Sequence, residues 1–413
     1  MDFKSARILV IDPHGEYSET FKGKSKIFKV NAGKNENELY IPFWALPFDE
    51  LLKIFPGSLS DPNHEFLREK IVEFKVNQRT VNKISIGKEV VTADSPIPFS
   101  LKRLWFELDD FERQTFATAR QPNTITTKTV AGDADKLVSN EYPPASAGGG
   151  LPFLNHLAKG ILRYLDWIRV KVKDSRYKFL FSPGKWNPNL DGKVGADLDE
   201  LLHIWLSGDK PITILDLSGV PSEIMSSISG TLLKIVFDSL LWGQNTNVGG
   251  KRQPLLVVLE EAHNYLKSGE NSISSRTVQS IAKEGRKYGV GLLLITQRPS
   301  ELDETVLSQC GTMIALRMNN SKDRSHIKAA IQDELQTLID LLPSLRTGEC
   351  IVSGEAVRIP SRMTFFKVAH APKGADPNAS TEWMKELPDK SEYKKVVTYW
   401  REQNFNEKKE SDK

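Results

Sequence analysis

Two adjacent acidic residues, Glu260 and Glu261, directly follow the apolar run Leu255–Leu259. An apolar run that ends in acids predicts a buried parallel strand with carboxylates at the carboxyl edge of its sheet. In enzymes that handle phosphates, one such acid can hold Mg²⁺ through water while the next polarises the attacking water. The same residues also suit an ordinary buried strand followed by a helix that begins with acids, which favour the positive end of its dipole.

A second polar pair, Thr296 and Gln297, ends the apolar run that begins at Gly291. Beside the acid-terminated strand, the amide of Gln297 would lie near a γ-phosphate, where it can orient water and sense the nucleotide state. Arg286 ends the preceding helical segment, where such charges are usually solvated. In a ring-shaped ATPase, an arginine on this surface can instead reach the nucleotide of the neighbouring subunit.

Asp12 follows a further apolar run, Ile8–Ile11, and is followed by Pro13. Its carboxylate could contact a nucleotide or a neighbouring subunit, or it could form the turn that ends the strand. His14 and His263 also follow strands, but no third ligand lies at zinc spacing, which favours capping or supporting roles for both.

The elements that must position these residues alternate between strands and helices. The strand-like runs are Ile8–Ile11, Ile212–Asp216, Leu255–Leu259 and Gly291–Thr296. Helical spacing of apolar residues occurs through Leu232–Phe237, and a basic helix is predicted from about Ser275 to Tyr288. This alternation predicts an α/β fold with a doubly wound, mostly parallel sheet.

The bulk composition narrows the class of protein but not its chemistry. The chain has 413 residues, 39% of them hydrophobic, and a net charge of +3, which by itself does not indicate nucleic-acid binding. No run approaches 18 apolar residues and no basic, apolar leader follows Met1. Only Cys310 and Cys350 are present. We therefore expect a cytoplasmic protein with no membrane contact, no zinc and no disulfide.

Four motifs occur in a fixed order along the chain. They are Asp12-Pro13-His14-Gly15-Glu16-Tyr17, Glu260-Glu261-Ala262-His263-Asn264, Glu284-Gly285-Arg286-Lys287 and Thr296-Gln297-Arg298-Pro299-Ser300. Each is weak alone, but the ordered set resembles the core of the HerA family of archaeal and bacterial ATPases, within the HerA/FtsK superfamily. Leu345–Cys350 with Ile359-Pro360 resembles the closing strands of that family. The resemblance covers residues 1 to about 30 and about 205 to 370.

The resemblance implies a RecA-like motor of the P-loop NTPase class that assembles as a homo-hexamer and moves along duplex DNA through the ring pore. ATP and Mg²⁺ would be its cofactors. A nuclease of the NurA-like type in DNA end processing, or an effector in phage defence, would be its partner. By motif position, Glu261 would be the catalytic carboxylate, Gln297 the sensor and Arg286 the finger across the subunit interface. Glu260 would hold Mg²⁺ through water, and Asp12 would contact the nucleotide.

Glu260 departs from the aspartate that most P-loop enzymes carry. The extra methylene is tolerable where the metal shell is mediated by water.

Family members also carry a barrel domain and a Gly-x-x-x-x-Gly-Lys-Ser/Thr loop upstream of the Asp-Pro-His-Gly-Glu-Tyr strand. Seven residues precede Ile8 here. Because the amides and lysine of that loop hold the phosphates, we expect this chain to be a truncated or split motor core, inactive alone. Gly23-Lys24-Ser25 resembles the end of such a loop, but Gly15 lies too far upstream and Lys26–Val30 alternates like a strand.

We predict four regions along the chain. Residues 1–30 begin the ATPase core, 31–184 form a mainly helical insertion, 185–372 complete the core, and 373–413 form a C-terminal helical segment with a charged tail.

Two alternative functions remain open. One is a conjugation- or virion-type pumping ATPase, which usually lacks the Asp12–Tyr17 element. The other is a structural ring subunit or DNA-binding scaffold that neither binds nor hydrolyses ATP.

Overall fold

The computed structural model describes residues 6–21, 23–119, 124–148, 150–267, 269, 272–330, 336–367, 379–385 and 389–402. The chain divides into two compact units. Unit 1 comprises Met1–Leu39 and Leu202–Lys413, and unit 2 comprises Tyr40–Leu201. The division predicted from the sequence, with an insertion at 31–184, stays a prediction.

The elements of both units follow in chain order. The strands are β1 (Arg7–Asp12), β2 (Ser25–Lys29), β3 (Asn37–Glu38), β4 (Thr115–Phe116), β5 (Phe153–Leu154), β6 (Ile212–Asp216), β7 (Leu255–Leu259), β8 (Val290–Leu294), β9 (Thr312–Leu316), β10 (Glu349–Gly354) and β11 (Ser361–Thr364). The helices are α1 (Phe48–Lys53), α2 (Asp61–Gln78), α3 (Leu101–Arg113), α4 (Leu162–Lys173), α5 (Lys178–Phe181), α6 (Leu198–Leu206), α7 (Met225–Trp242), α8 (Ile273–Glu284), α9 (Glu304–Ser308), α10 (Ser321–Ala330), α11 (Gln336–Ile339), α12 (Ala379–Glu382) and α13 (Lys390–Glu402).

The main sheet of unit 1 has the strand order β3-β2-β6-β1-β7-β8. Every neighbouring pair in it is parallel. The central strands are buried on both faces, because helices pack against them; Leu9 and Ile11 of β1 are fully buried. All carboxyl ends therefore lie at one edge, and the register places Asp12 beside Asp216. This arrangement confirms the predicted α/β fold with a parallel, RecA-like sheet.

Several boundaries differ from the prediction for local reasons. The predicted strand Gly291–Thr296 is β8, Val290–Leu294, after which the chain turns. Residues 44–55 have apolar residues at helical spacing, which predicts one helix. They form a 3₁₀ turn, Phe43–Ala45, and then α1, because Pro47 holds Leu46 in an extended conformation. The basic helix is α8, capped by the Ser272 hydroxyl, and continues as a 3₁₀ turn, Gly285–Tyr288.

The Gly23-Lys24-Ser25 segment leads into β2, which begins at Ser25 and pairs in parallel with β6. A phosphate-binding loop is followed by a helix, so this segment does not have the structure of one.

The segment Ser222–Trp242, which contains α7, is long and apolar enough by composition to cross a membrane, with a mean hydropathy of 1.4. Its apolar residues are however largely buried within unit 1, where Ile228, Leu232 and Val236 are at most 1% exposed. Core packing, as the helical spacing predicts, accounts for this composition.

A second sheet of unit 1 is antiparallel, with the order β11-β10-β9. Ile351 of β10 and Ala315 of β9 pack with Ile327 of α10 and with Leu342 and Leu345 in one buried cluster. The motif that the sequence assigns to closing strands leads into β10 and β11: Leu345–Cys350 reaches the first two residues of β10, and Ile359-Pro360 directly precedes β11.

Unit 2 contains α1 to α5 and the small β4-β5 sheet. Its core includes the indoles of Trp44 and Trp105, which donate to the carbonyls of Trp186 and Leu165 at 2.9 Å. Lys75 is also buried, and its Nζ donates to the carbonyl of Ala93 at 2.6 Å. Burial lowers the pKa of Lys75 to about 7.

The charged tail that the sequence predicts, from Glu407 to Lys413, lies outside the described residues. The described part of the C-terminal region forms α12 and α13.

A substitution at Gly230 tests the packing of α7 on α8. A Cβ at this position would meet Ile273 and lie 2.6 Å from the backbone nitrogen of Ser274. We expect Gly230→Ala to destabilise the protein by about 1–3 kcal/mol by overpacking, although glycine-to-alanine changes normally stabilise helices. Urea denaturation measures this. The control Lys234→Ala, on the solvent side of α7, should cost less than about 0.5 kcal/mol, and equal costs would contradict the proposed contact.

Candidate active site

Four buried carboxyl groups meet at the carboxyl edge of the main sheet. Asp12 ends β1, Asp216 ends β6, and Glu260 and Glu261 follow β7. Their exposed fractions are 0%, 1%, 9% and 7%. Since β1 lies between β6 and β7, the parallel sheet itself brings these residues together from distant parts of the sequence. Such a concentration of buried charge is typical of functional sites.

The carboxylate of Asp12 is held by the turn that follows β1. One oxygen accepts the backbone N–H groups of His14 at 3.1 Å and Gly15 at 2.8 Å, and the other accepts that of Tyr17 at 3.1 Å. Burial raises the pKa of Asp12, the backbone hydrogen bonds lower it, and the charge of Asp216 raises it further. Complete burial and these three bonds favour the turn-forming role over a nucleotide contact.

Gly15 allows that turn to lie against Asp216. Its φ is +75°, and an added Cβ would lie 2.8 Å from Oδ2 of Asp216. The same oxygen lies 2.9 Å from Nζ of Lys29, and Oδ1 accepts the Ser218 hydroxyl at 2.6 Å. Lys29 thus supplies one positive charge to the acidic edge.

Glu260 accepts a hydrogen bond from the Tyr17 hydroxyl at 2.9 Å. Burial raises the pKa of Glu260, and the charges of Glu261, Asp12 and Glu16 raise it further, while the bond from Tyr17 opposes them. The pKa of Tyr17 is in turn raised by burial and by its bond to Glu260. Tyr17 therefore stabilises the charged form of Glu260.

Glu261 has a left-handed backbone conformation, with φ of +45° and ψ of +54°. Residues other than glycine rarely adopt this backbone conformation, and such backbone strain is concentrated at functional sites. Oε2 of Glu261 accepts the backbone N–H of Gln297 at 3.3 Å and lies 3.2 Å from Nδ1 of His263. The same nitrogen lies 3.1 Å from Oγ1 of Thr296.

These contacts depend on the pairing of β7 with the chain that follows β8. The Ile295 N–H donates to the Leu259 carbonyl at 3.0 Å, and the Ala262 N–H donates to the Ile295 carbonyl at 2.8 Å. Thr296 and Gln297 are therefore held beside Glu261, as the sequence predicts. The side chain of Gln297 is exposed, which leaves its amide accessible to a ligand.

Arg286 is not part of this cluster. It lies in the 3₁₀ turn before β8 and is exposed, at the amino end of the strand whose carboxyl end leads to Gln297. A five-residue strand spans about 17 Å, so Arg286 is remote from Glu261 of its own chain. Its role as a finger across a subunit interface stays a prediction.

Among the described residues, no group of three or more His, Cys, Asp or Glu has the arrangement of a metal site. A Mg²⁺ ion at Glu260 would therefore take most of its ligands from water and from a bound phosphate, which is the usual coordination of this ion.

The sequence did not single out Tyr17, Lys29 or Asp216 as members of the site. Tyr17 stands in a recognised motif, but only the fold shows that its hydroxyl meets Glu260. Asp216 ends an apolar run as Glu260 does, and that signal marks it in retrospect. Lys29 belongs to a polar, alternating strand and carries no such signal.

Gly15→Ala should destabilise the protein by more than the left-handed conformation alone explains. Gly23 is the control, because its φ is +82° but nothing lies within 4 Å of an added Cβ. We expect Gly23→Ala to cost about 1–2 kcal/mol, and Gly15→Ala to cost about 1 kcal/mol more, since Asp216 or the turn must shift. Chemical denaturation of both variants measures these costs. Equal losses of unfolding free energy would contradict the close approach of Gly15 to Asp216.

Glu260→Gln should stabilise the protein at neutral and alkaline pH. A carboxyl group whose pKa is raised in the folded state contributes stability below its unfolded pKa and loses it as pH rises through the folded pKa. We expect the Tm of Glu260→Gln to exceed that of the unsubstituted protein at pH 8, with the difference lost at pH 4, both measured with a chelator present.

Glu349→Gln is a control for which we expect a Tm change of the opposite sign. The Arg346 N–H and the Arg362 guanidinium lower the pKa of Glu349, so Glu349→Gln should lower the Tm at pH 8. A Tm difference for Glu260→Gln that did not change with pH would rule out the electrostatic explanation.

Comparison with known proteins agrees with this geometry. A model of the HerA helicase central domain matches residues 2–236, and a model of the HerA-like helicase C-terminal region matches residues 192–392. The solved structure of VirB4 from Thermoanaerobacter pseudethanolicus superposes with a TM-score of 0.52 at 14% identity, covering 89% of this chain and 82% of that one. This likeness shows the fold.

The curated relatives named DNA double-strand break repair helicase HerA include proteins from Saccharolobus solfataricus and Sulfolobus acidocaldarius. The one from Saccharolobus solfataricus is 31% identical over 382 residues, which cover 92% of this chain and 62% of the relative. The one from Sulfolobus acidocaldarius is 33% identical over 172 residues, 42% of this chain and 35% of the relative. The chain thus spans less than two thirds of either relative. Since the central-domain model alone matches residues 2–236, more than half of the 413 residues, the resemblance is confirmed and the chain belongs to the HerA helicase family.

Proposed function

We propose that the chain carries the hydrolytic acids of a HerA-like, ATP-driven DNA translocase or helicase. The observation that supports this most strongly is the strained Glu261, held at the carboxyl edge of a parallel sheet beside Gln297. A carboxylate fixed in this way can accept a proton from, and orient, the water that attacks a γ-phosphate.

The two oxygens of Glu261 have different surroundings. Oε2 meets the Gln297 N–H and His263, whereas Oε1 has no hydrogen-bond partner among the described residues. Holding one oxygen fixes the carboxylate plane and leaves the other available for water. Gln297 is exposed at the same place, where its amide can contact the same water or a phosphate oxygen.

The acidic edge fits a divalent cation that arrives with the nucleotide. Burial raises the pKa of Glu260, and the charges of neighbouring carboxylates raise it further, while Lys29 is paired with Asp216. A cation near Glu260 would relieve this repulsion. Mg²⁺ bound to ATP neutralises the charge of the phosphates. Glu260, held by Tyr17, contacts this ion through water.

The same proposal requires a phosphate-binding loop, and the outer edge of β8 suits the strand that carries one. Leu255 N–H donates to Gly289 O and Ile295 N–H to Leu259 O, so the odd-numbered residues of β8 face β7. The backbone groups of Val290, Leu292 and Leu294 then face outward, where no described strand pairs with them. An added parallel strand would end at the same edge as Glu261.

Exposed apolar side chains on the end strands of both sheets support the addition of a strand. Leu293 is 43% exposed, and on β9, which ends the second sheet, Ile314 and Leu316 are 48% and 51% exposed. Unpaired apolar strand edges are a liability that folded proteins cover. We propose that a segment outside this sequence, from the same or another polypeptide, supplies the strand and loop, and that without it the chain is inactive.

The remote position of Arg286 supports assembly into a ring. An exposed arginine at the amino end of β8 serves hydrolysis only if a neighbouring subunit presents its nucleotide there. We propose a homo-hexamer with duplex DNA in its pore, acting with a nuclease in DNA end processing or phage defence. The names of the relatives support DNA as the track.

Glu261→Gln tests the catalytic assignment. DNA-stimulated ATP hydrolysis is measured for this chain alone and for the chain joined to any coding sequence upstream of it. We expect hydrolysis only from the extended protein, and a fall in kcat of about 100-fold or more with Glu261→Gln, while ATP binding persists because the substitution keeps the shape and one acceptor of the side chain.

Glu304→Gln serves as the matched control, since Glu304 is an exposed glutamate of α9, and it should leave kcat unchanged. Hydrolysis that survives Glu261→Gln would contradict the catalytic role. If neither protein hydrolyses ATP, the non-hydrolysing ring subunit or scaffold is the better description.

A further inference from the structure

His263 lies between the two segments that carry Glu261 and Gln297. It belongs to the 3₁₀ turn Ala262–Asn264, which directly follows Glu261 at the carboxyl end of β7. The side chain of His263 is 13% exposed and that of Glu261 is 10% exposed. Because so little of the ring meets solvent, neighbouring protein groups determine the hydrogen bonds of this histidine.

One ring nitrogen of His263 contacts two oxygens. Nδ1 lies 3.2 Å from Oε2 of Glu261 and 3.1 Å from Oγ1 of Thr296. Thr296 lies two residues beyond the end of β8, so the imidazole connects the chain after β7 to the chain after β8. Oγ1 of Thr296 also accepts the Arg298 N–H at 3.0 Å. Since Thr296 and Arg298 flank Gln297, this network encloses the predicted sensor.

The two oxygens determine which ring nitrogen of His263 carries the proton. An ionised carboxylate only accepts hydrogen bonds, whereas a hydroxyl group can donate or accept. A neutral ring protonated on Nε2 would direct the lone pair of Nδ1 at the Glu261 carboxylate, and the two groups would repel each other. A proton on Nδ1 instead forms a charge-assisted hydrogen bond to that carboxylate. The contacts therefore favour a proton on Nδ1 in the neutral and in the charged ring.

We propose that His263 is a positioning residue, which donates from Nδ1 to Oε2 of Glu261 and aligns this carboxylate with the attacking water. The inference rests on the proposed hydrolytic role of Glu261. The Gln297 N–H meets the same oxygen at 3.3 Å, which is long for a hydrogen bond. The imidazole is thus the stronger of two donors that hold Oε2, and a base held by a third group in this way is a recurring catalytic arrangement.

The position of Thr296 gives this histidine a second role. The Nδ1 proton faces Oγ1 of Thr296 as well as Oε2 of Glu261, so a shift of the chain around Gln297 changes how the proton is shared. His263 therefore connects the proposed sensor to the proposed base.

Two amide substitutions separate the role of Nδ1 from that of the ring. The amide nitrogen of asparagine can take the place of Nδ1, whereas that of glutamine extends to the place of Nε2. DNA-stimulated ATP hydrolysis is measured for the chain joined to any coding sequence upstream of it. We expect His263→Asn to keep kcat within about threefold, and His263→Gln to lower kcat about tenfold, with the affinity for ATP unchanged in both.

Two controls show whether His263 acts through Glu261. In the Glu261→Gln background, His263→Gln should cause no further fall in kcat, because the carboxylate that it positions is gone. His203→Asn, at an exposed histidine of α6, should leave kcat unchanged. Thermal unfolding of His263→Asn and His263→Gln should give similar Tm values, which excludes a difference in folding as the cause.

The position of the proton is measured on this chain alone. NMR couplings between the ring nitrogens and the carbon-bound ring protons distinguish the two neutral forms of histidine. The chain has seven histidines, and the signals that disappear in His263→Asn identify His263. At pH 8 we expect its proton on Nδ1.

Three outcomes would overturn the positioning role. A neutral ring protonated on Nε2 would exclude the bond to Glu261. Equal kcat values for His263→Asn and His263→Gln, in a protein that Glu261→Gln inactivates, would remove this role and leave the hydrolytic proposal standing. An extended protein that hydrolyses no ATP would remove both, and the NMR result would then describe a structural hydrogen bond.

Discussion

Four buried carboxyl groups repel one another at one edge of a parallel sheet, and the surrounding residues offset this repulsion. Each group is neutralised or held in a different way. Asp12 accepts three backbone N–H groups, Asp216 meets Lys29, Glu260 accepts the Tyr17 hydroxyl, and Glu261 meets the Gln297 N–H and His263. Because only one of these partners, Lys29, carries a permanent positive charge, the edge remains short of positive charge, and burial makes that shortage costly.

Two residues at this edge also have backbone conformations with positive φ. Gly15 has a positive φ so that its turn can bond Asp12 while lying against Asp216, and Glu261 has a positive φ although it has a side chain. Glycine adopts such a φ without strain, so the backbone strain lies at Glu261. Both residues follow strand ends. Strain and repulsion at one location are typical of sites where binding or catalysis, and not stability, determines the residues.

The parallel sheet also separates charge between its two ends. The carboxyl ends collect Asp12, Asp216, Glu260 and Glu261, whereas Arg7 begins β1 and Lys210 precedes β6 at the amino ends. Along its side, β8 presents outward-facing backbone groups and an exposed Leu293. We propose that the acidic end of this sheet receives a cation with its nucleotide and that the outer edge of β8 receives another strand.

Much of this architecture could be predicted from the sequence. The strand-like runs Ile8–Ile11, Ile212–Asp216 and Leu255–Leu259 lie wholly within observed strands, because a strand buried on both faces is predominantly apolar. The sequence predicts Glu260, Glu261 and Gln297 as site residues for the same reason, since polar residues that end such runs lie at the sheet edge. Capping and proline effects explain the small errors at α1 and α8.

Tertiary structure alone decided which of these residues meet. The sequence treats Tyr17 and Glu260 as unrelated, and places Lys29 in an ordinary polar strand, yet the order β2-β6-β1-β7 brings Lys29 to Asp216 and Tyr17 to Glu260. Local patterns report whether a segment is buried, but partners far apart in the chain are determined by strand order, which depends on the packing of the whole sheet.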